Sequence, residues 1–344
     1  MRRRWGVARA RALLLAAVCC GAVAARAAQA QAGAAPRTAI LLVAGVGGEK
    51  RLTDAYHGYA TAIADAASRR FGIPDSLIVV LAEDSTRARV RARSTREQIL
   101  ASIGRLSAGM RAGDRLVIVL FGHGTAQGNE SRFNIPGPDM SAADFAAALA
   151  PLRDVSVVVV NTTSASGDFV KALAAPMRVV VTATRTPREQ NETLFPAHIV
   201  AALTGASGAA DSDKDGRVNL LEAFTYARRE VERVFEQGNR IATEHAVLDD
   251  DGDGVGHGDA SEKGPDGPRA RALFLEPAGG ATLAADPRAA TLLAERRELD
   301  GRLEALRSRR STMSEEAYQK ALEPLMVELA RNASALKALE GKKP

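Results

Sequence analysis

Apolar residues in this chain come in short unbroken runs that end at turn residues, with helix-period stretches between them. Thr38–Ala44 (TAILLVA) is the first run and stops at glycines. Ser76–Glu83 (SLIVVLAE), Asp114–Gly124 (DRLVIVLFGHG), Val155–Val160 (VSVVVV) and Met177–Thr184 (MRVVVTAT) follow it. Helical patterns separate them, over Ala60–Phe71, Arg96–Leu106, the stretch SAADFAAALAPL opened by Ser141, and FVKALAA from Phe169. A strand that is apolar on both faces must be covered on both faces. Such strands alternating with helices predict a three-layer α/β fold around a mostly parallel sheet.

The pattern changes past about residue 209. Asp/Gly-rich loops flank a helix expected from Leu220 to about Phe235, and ALFLEP, from Ala272, is expected to return to the sheet edge. From about Pro287 the chain is charged and helix-periodic. Leu292, Leu299, Leu303 and Leu306 form one apolar stripe, and Leu322, Leu325, Leu329 and Leu336 form another after a break at Ser311–Ser314. These stripes predict an antiparallel helical pair over 287–340, with Pro324 kinking or starting its second helix. The pair packs on its own domain or on a helical partner; its pattern allows either. The α/β domain is placed at 36–280 and includes the Asp-rich region 209–260.

Residues 1–30 carry a basic start, a short apolar core (ALLLAAVCCGAVAA) and the small-x-small site Ala28-Gln29-Ala30. This is the pattern of an export signal cleaved near Ala30, and the core is too short for a stable transmembrane anchor. Cys19 lacks the small-residue surroundings of a lipidation site. A periplasmic or secreted protein is expected. Removing the leader removes six arginines and no acids, so the formal charge falls from +5 to −1. No basic excess is left to hold a phosphate backbone, which argues against a nucleic-acid partner. Both cysteines, Cys19 and Cys20, leave with the leader, which excludes thiolate chemistry from the mature chain.

In a parallel sheet, reactive groups gather beyond the carboxyl ends of the strands. His123 stands there between Gly122 and Gly124, whose missing side chains are expected to leave room for a substrate. Ser164 follows the next long strand, in Asn161-Thr162-Thr163-Ser164-Ala165-Ser166-Gly167. A histidine can take the proton of a neighbouring hydroxyl, and backbone N–H groups around Gly124 and Ser164 would receive an oxyanion. His57, His198 and His245 are expected in packing or surface roles, and His257 in a solvated acidic loop. Glu83, Asp84 and Asp168 read as turn or surface acids. Arg185, Glu189 and Asn191 belong either to a pocket wall or to a solvated loop. The glycine-rich GVGGEK (Gly45–Lys50) matches neither a dinucleotide nor a phosphate-loop fingerprint, so no organic cofactor is expected.

FGHG and SASGDF, in this order and strand context, resemble the legumain and caspase-like clan of cysteine peptidases over roughly residues 36–206. The resemblance implies a caspase-like fold, His123 as general base and Ser164 at the cysteine position; a shift of one residue would place Thr163 there instead. Two readings stay open. Either the chain is a Ser-dependent peptidase or amidase, or the fold is retained without its reaction and the cleft holds a peptide or protein ligand. A serine hydroxyl needs more help than a thiol. The chain offers no evident carboxylate to orient His123, which tilts the choice towards a silent homologue.

DSDKDGRVNLLE has the spacing of an EF-hand-like calcium loop. Asp211, Asp213 and Asp215 stand at positions one, three and five, and Gly216 at six. The Arg217 carbonyl follows at seven, Val218 at eight, Asn219 at nine and Glu222 at twelve. DDDGDGVGHGDA repeats the spacing with Asp249, Asp251 and Asp253, but Ala260 occupies position twelve and Asp259 stands one residue early. Structural Ca2+ is the cofactor these loops suggest. Their all-oxygen donor sets do not suit zinc.

Overall fold

The computed structural model describes residues 36–275 except 129, 206 and 216, scattered positions between 288 and 306, and 313–340. The expected leader, Gly216 and the last residues of ALFLEP lie outside the described residues. Every element named below belongs to one unit, Thr38–Pro344.

All five long apolar runs are strands of one sheet. They are β1 (Thr38–Ala44), β2 (Ile78–Ala82), β4 (Arg115–Phe121), β8 (Ser156–Asn161) and β9 (Arg178–Thr182). With β3 (Val90–Arg93) and β10 (Val247–Asp249) they form a seven-stranded sheet in the order β10-β9-β8-β4-β1-β2-β3. Every pairing is parallel except that of β10 with β9. The register places Val79, Leu41, Ile118, Val159 and Val180 in one cross-strand row. These residues face α2 (Arg96–Ser107), α3 (Ala142–Leu149) and α4 (Asp168–Leu173), packing with Ile99, Phe145 and Phe169. Their alternating neighbours, such as Ile40, Val119 and Val181, face α1 (Lys50–Asp65), α5 (Phe195–Leu203) and α6 (Leu220–Gln237). Two cores on opposite faces of one sheet make the three-layer architecture that apolar-on-both-faces strands require.

Local chemistry fixes where helices begin. The Thr95 hydroxyl accepts from Gln98 N at the start of α2, and Ser141 and Asp144 form a reciprocal capping box at the start of α3. Arg96 clamps both oxygens of Asp144 at 2.5 and 2.6 Å, which ties the two helix starts together.

Four features depart from the sequence reading. Helix α1 begins at Lys50, not Ala60, because Leu52, Tyr56, Ala60 and Ile63 continue one buried stripe towards the N-terminus. A small antiparallel sheet of β5 (Gly124–Gln127), β6 (Glu130–Phe133) and β7 (Met140–Ser141) follows β4. The described part of ALFLEP, residues 272–275, does not join the large sheet: Phe274 bridges Asn219, and β10 holds the edge beside β9. The second C-terminal helix does not start at Pro324: it begins earlier, as α8 (Glu315–Glu340), and contains that proline.

Leu299 and Leu303 pack with Leu325 and Leu329 in a small cluster of their own. Asn332 donates to the Leu292 carbonyl, whereas Arg302 pairs with Glu328, so the two C-terminal segments run antiparallel. Among the described residues, no helix is long and apolar enough to cross a membrane.

Candidate functional site

Strands β4 and β8 are neighbours, with Leu120 paired to Asn161, so the turns carrying His123 and Ser164 emerge side by side. His123 is half-buried and stands edge-on to Tyr56, with ring centroids 5.8 Å apart. Its Nε2 lies 3.2 Å from the Gly47 carbonyl. A carbonyl only accepts, so Nε2 carries the hydrogen and Nδ1 is the basic nitrogen. Gly47 is itself held, because its N–H donates to Glu83 Oε2 at 3.2 Å and the Thr53 hydroxyl donates to the same oxygen. The glycine-rich GVGGEK turn therefore orients the histidine through a backbone group, a role that side-chain patterns do not announce.

The hydroxyl side of the pair is arranged differently. Ser164 is 2 % exposed. Its Oγ donates to the Gly124 carbonyl at 3.0 Å and accepts from the Gly124 N–H at 3.1 Å. The Thr163 hydroxyl, also buried, donates to Asn161 Oδ1 at 2.8 Å. Thr162 Oγ1 donates to the Leu120 carbonyl at 2.7 Å. Thr163 satisfies a group of its own turn, whereas Ser164 and Thr162 tie the turn to β5 and β4, and none of these bonds reaches His123. The Gly124 N–H, expected as an oxyanion donor, is spent on Ser164 Oγ.

Gly124 does not leave room for a substrate either. A Cβ there would lie 2.1 Å from the Ser164 carbonyl oxygen and 2.9 Å from Thr163 Oγ1. The missing side chain lets β5 close onto the turn. The turn itself is bent sharply: Ala165 adopts φ 50°, and its N–H donates to the Glu189 carbonyl at 2.7 Å. A β-carbon is disfavoured in that left-handed conformation.

The remaining candidates have other partners. His57 Nε2 lies 3.0 Å from the Ala88 carbonyl, and burial pulls the His198 imidazole down from its usual range. Asp84 caps Thr86, and Asp168 opens α4. Asn191 is exposed. Glu189 Oε2 accepts from Arg185 N and His245 N. Arg185 and His245 line a cavity of about 220 Å³ with Glu244 and Asp259. Glu244 carries no sequence signal for this place. Its carboxylate accepts from Leu194 N and Phe195 N at the start of α5, and burial pushes it up to about 7.

In the first acidic loop Asp211, Asp213 and Asp215 each bring a carboxylate oxygen within 4.8 Å of the others. Burial, reinforced by Asp213, pushes Asp215 up to about 6. Glu222 is not part of this group. Its Oε1 accepts from Ser212 N, Ser212 Oγ and Asp213 N, and its Oε2 from Asn219 N and Nδ2. Asn219 Oδ1 in turn accepts from Glu222 N, so positions nine and twelve form a capping box that starts α6. The Arg217 guanidinium lies over the Phe274 ring, 3.7 Å from its centroid.

In the second loop the group is Asp249, Asp251 and Asp266. Asp253 is exposed and accepts from Val255 N, and Asp259 faces the cavity beside Arg185, so neither joins the group. Asp266 enters from the turn before α7 (Pro268–Arg271). It accepts from Asp250 N at 2.8 Å and pairs with His257 Nδ1 at 2.6 Å. That contact raises the His257 imidazole, which is paired and not merely solvated. Both aspartate groups can hold a metal ion, and their all-oxygen donors suit a hard cation.

No family model matches the chain, and no curated protein matches it. Solved structures do. Protein GSU0716 from Geobacter sulfurreducens is 11 % identical over 62 % of this chain and 93 % of its own, with a TM-score of 0.42. A secreted C11 cysteine protease from Bacteroides thetaiotaomicron, "iotapain", is 11 % identical over 63 % of this chain and 67 % of its own, with a TM-score of 0.35.

Proposed function

We propose that this chain is an exported caspase-like homologue whose peptidase chemistry is silent, and that it acts as a binding or structural protein stabilised by calcium. One observation carries the silent reading: the two-way bond between Ser164 Oγ and the backbone of Gly124, buried at 2 % exposure. It occupies the nucleophile's hydroxyl and an oxyanion donor at once. An active Ser164–His123 hydrolase is the second reading. It is favoured by the Gly47 carbonyl, which leaves Nδ1 of His123 ready to accept a proton.

Stability separates the two. If Ser164 is a structural hydroxyl, Ser164→Ala leaves the buried Gly124 N–H without its partner, at a cost of about 2 kcal/mol. Urea unfolding should show that loss, with peptide hydrolysis absent before and after. An unchanged midpoint together with lost hydrolysis would establish the active reading instead.

Calcium is the proposed ion for Asp211, Asp213 and Asp215, given the loop spacing and the abundance of the ion outside the cell. Ligand held only by the folded chain stabilises it by about 2.7 kcal/mol at a hundred times Kd. Millimolar Ca2+ should therefore raise the melting temperature, and Mg2+ should do so less, because its small octahedral shell fits such a loop poorly. No shift with either ion would end the calcium reading.

A further inference from the structure

The first acidic loop also meets the C-terminal helical pair. Arg296, from the first of its segments, places Nη2 3.3 Å from Asp215 Oδ2, and both side chains are largely buried. Arg271 of α7 approaches Asp213 Oδ2 at 4.0 Å. Between loop, α7 and helical pair lies a cavity of about 370 Å³, lined by Asp213, Asp215, Arg271, Arg296, Phe274 and Met326 among others. The leucines of the pair form a cluster separate from both cores of the α/β domain. Attachment here thus combines a charged contact with incomplete packing.

We propose that the C-terminal helical pair and a divalent cation compete for Asp215, so that ion binding loosens the pair and docking of the pair weakens ion binding. The inference rests on the calcium reading of this loop. Arg296 supplies a positive charge where the loop concentrates negative charge. A dication held by Asp211, Asp213 and Asp215 would satisfy the same carboxylate and repel the guanidinium. A coupling between two binding events is reciprocal: whatever factor the ion takes from docking, docking takes from the ion.

Calorimetric titration of the full chain with Ca2+ tests this. Arg296→Gln should bind Ca2+ more tightly than the unaltered chain, on the order of tenfold, and Arg296→Lys, which keeps the charge, should change affinity much less. In the unaltered chain, Ca2+ should also speed hydrogen exchange in α8. Equal or weaker Ca2+ binding by Arg296→Gln, or α8 exchange that slows with Ca2+, would overturn the competition while leaving the calcium site standing. Absence of binding heat in all three chains would overturn the calcium reading and the competition with it.

Discussion

Gly124→Ala is expected to destabilise the domain by about 3 kcal/mol, at the upper end of overpacking costs. The added methyl meets the Ser164 carbonyl at 2.1 Å and the Arg132 carbonyl at 3.1 Å. Both are backbone atoms, and neither can rotate aside as a side chain would. Relief requires β5 to separate from the turn after β8, which breaks the two Ser164–Gly124 hydrogen bonds. A domain of this size should lose on the order of 10 °C in melting temperature. Gly128→Ala is the control. Gly128 has a positive φ, which Gly124 does not, but its Cβ would meet nothing within 4 Å, so only local strain is added. Thermal melts of the two variants compare them directly. A Gly124→Ala variant that melts with the parent would show that the turn has slack.

Glu222→Ala should cost about 3 kcal/mol, and should do so in the presence of a chelator. The carboxylate is 8 % exposed and accepts five hydrogen bonds, from Ser212 N, Ser212 Oγ, Asp213 N, Asn219 N and Asn219 Nδ2. Removing it strips the acceptors from the loop and dissolves the capping box at the start of α6. That helix is the long amphipathic element whose Leu221, Phe224, Val231 and Phe235 cover one face of the sheet. A residue acting only as an ion ligand would leave stability in chelator unchanged. Chelator-treated melts of Glu222→Ala and Glu222→Gln separate the two roles, since glutamine keeps one of the two acceptor oxygens and should lose less.

The central strands were legible because β1, β2, β4, β8 and β9 are apolar on both faces, a pattern that a half-solvated strand does not produce. The edges were not. In β3 the sequence Val90-Arg91-Ala92-Arg93 leaves one face to solvent, and β10 spans only Val247–Asp249, too short to show any period. The site divides in the same way. The sequence places His123 and Ser164 beyond strand ends, but that the two strands are neighbours comes from the pairing of β4 with β8. The destination of the Ser164 hydroxyl depends on how closely β5 approaches, and the orienting group of His123 is a backbone carbonyl; neither leaves a side-chain signature. Glu222 shows a different limit. Asn219-x-x-Glu222 fits both the end of a calcium loop and a capping box, and only the hydrogen bonds distinguish them. Asp266 could not be found by loop spacing, because a separate turn carries it to Asp249 and Asp251.

On the reading proposed above, Ser164 is a structural hydroxyl and not a nucleophile. Incubating the folded, calcium-supplemented chain with a serine-directed fluorophosphonate, and locating any adduct by peptide mass spectrometry, tests it most directly. No adduct is expected on Ser164 or Thr163. A stoichiometric adduct on Ser164 that disappears in His123→Ala, with the melting temperature of that variant unchanged, would contradict it.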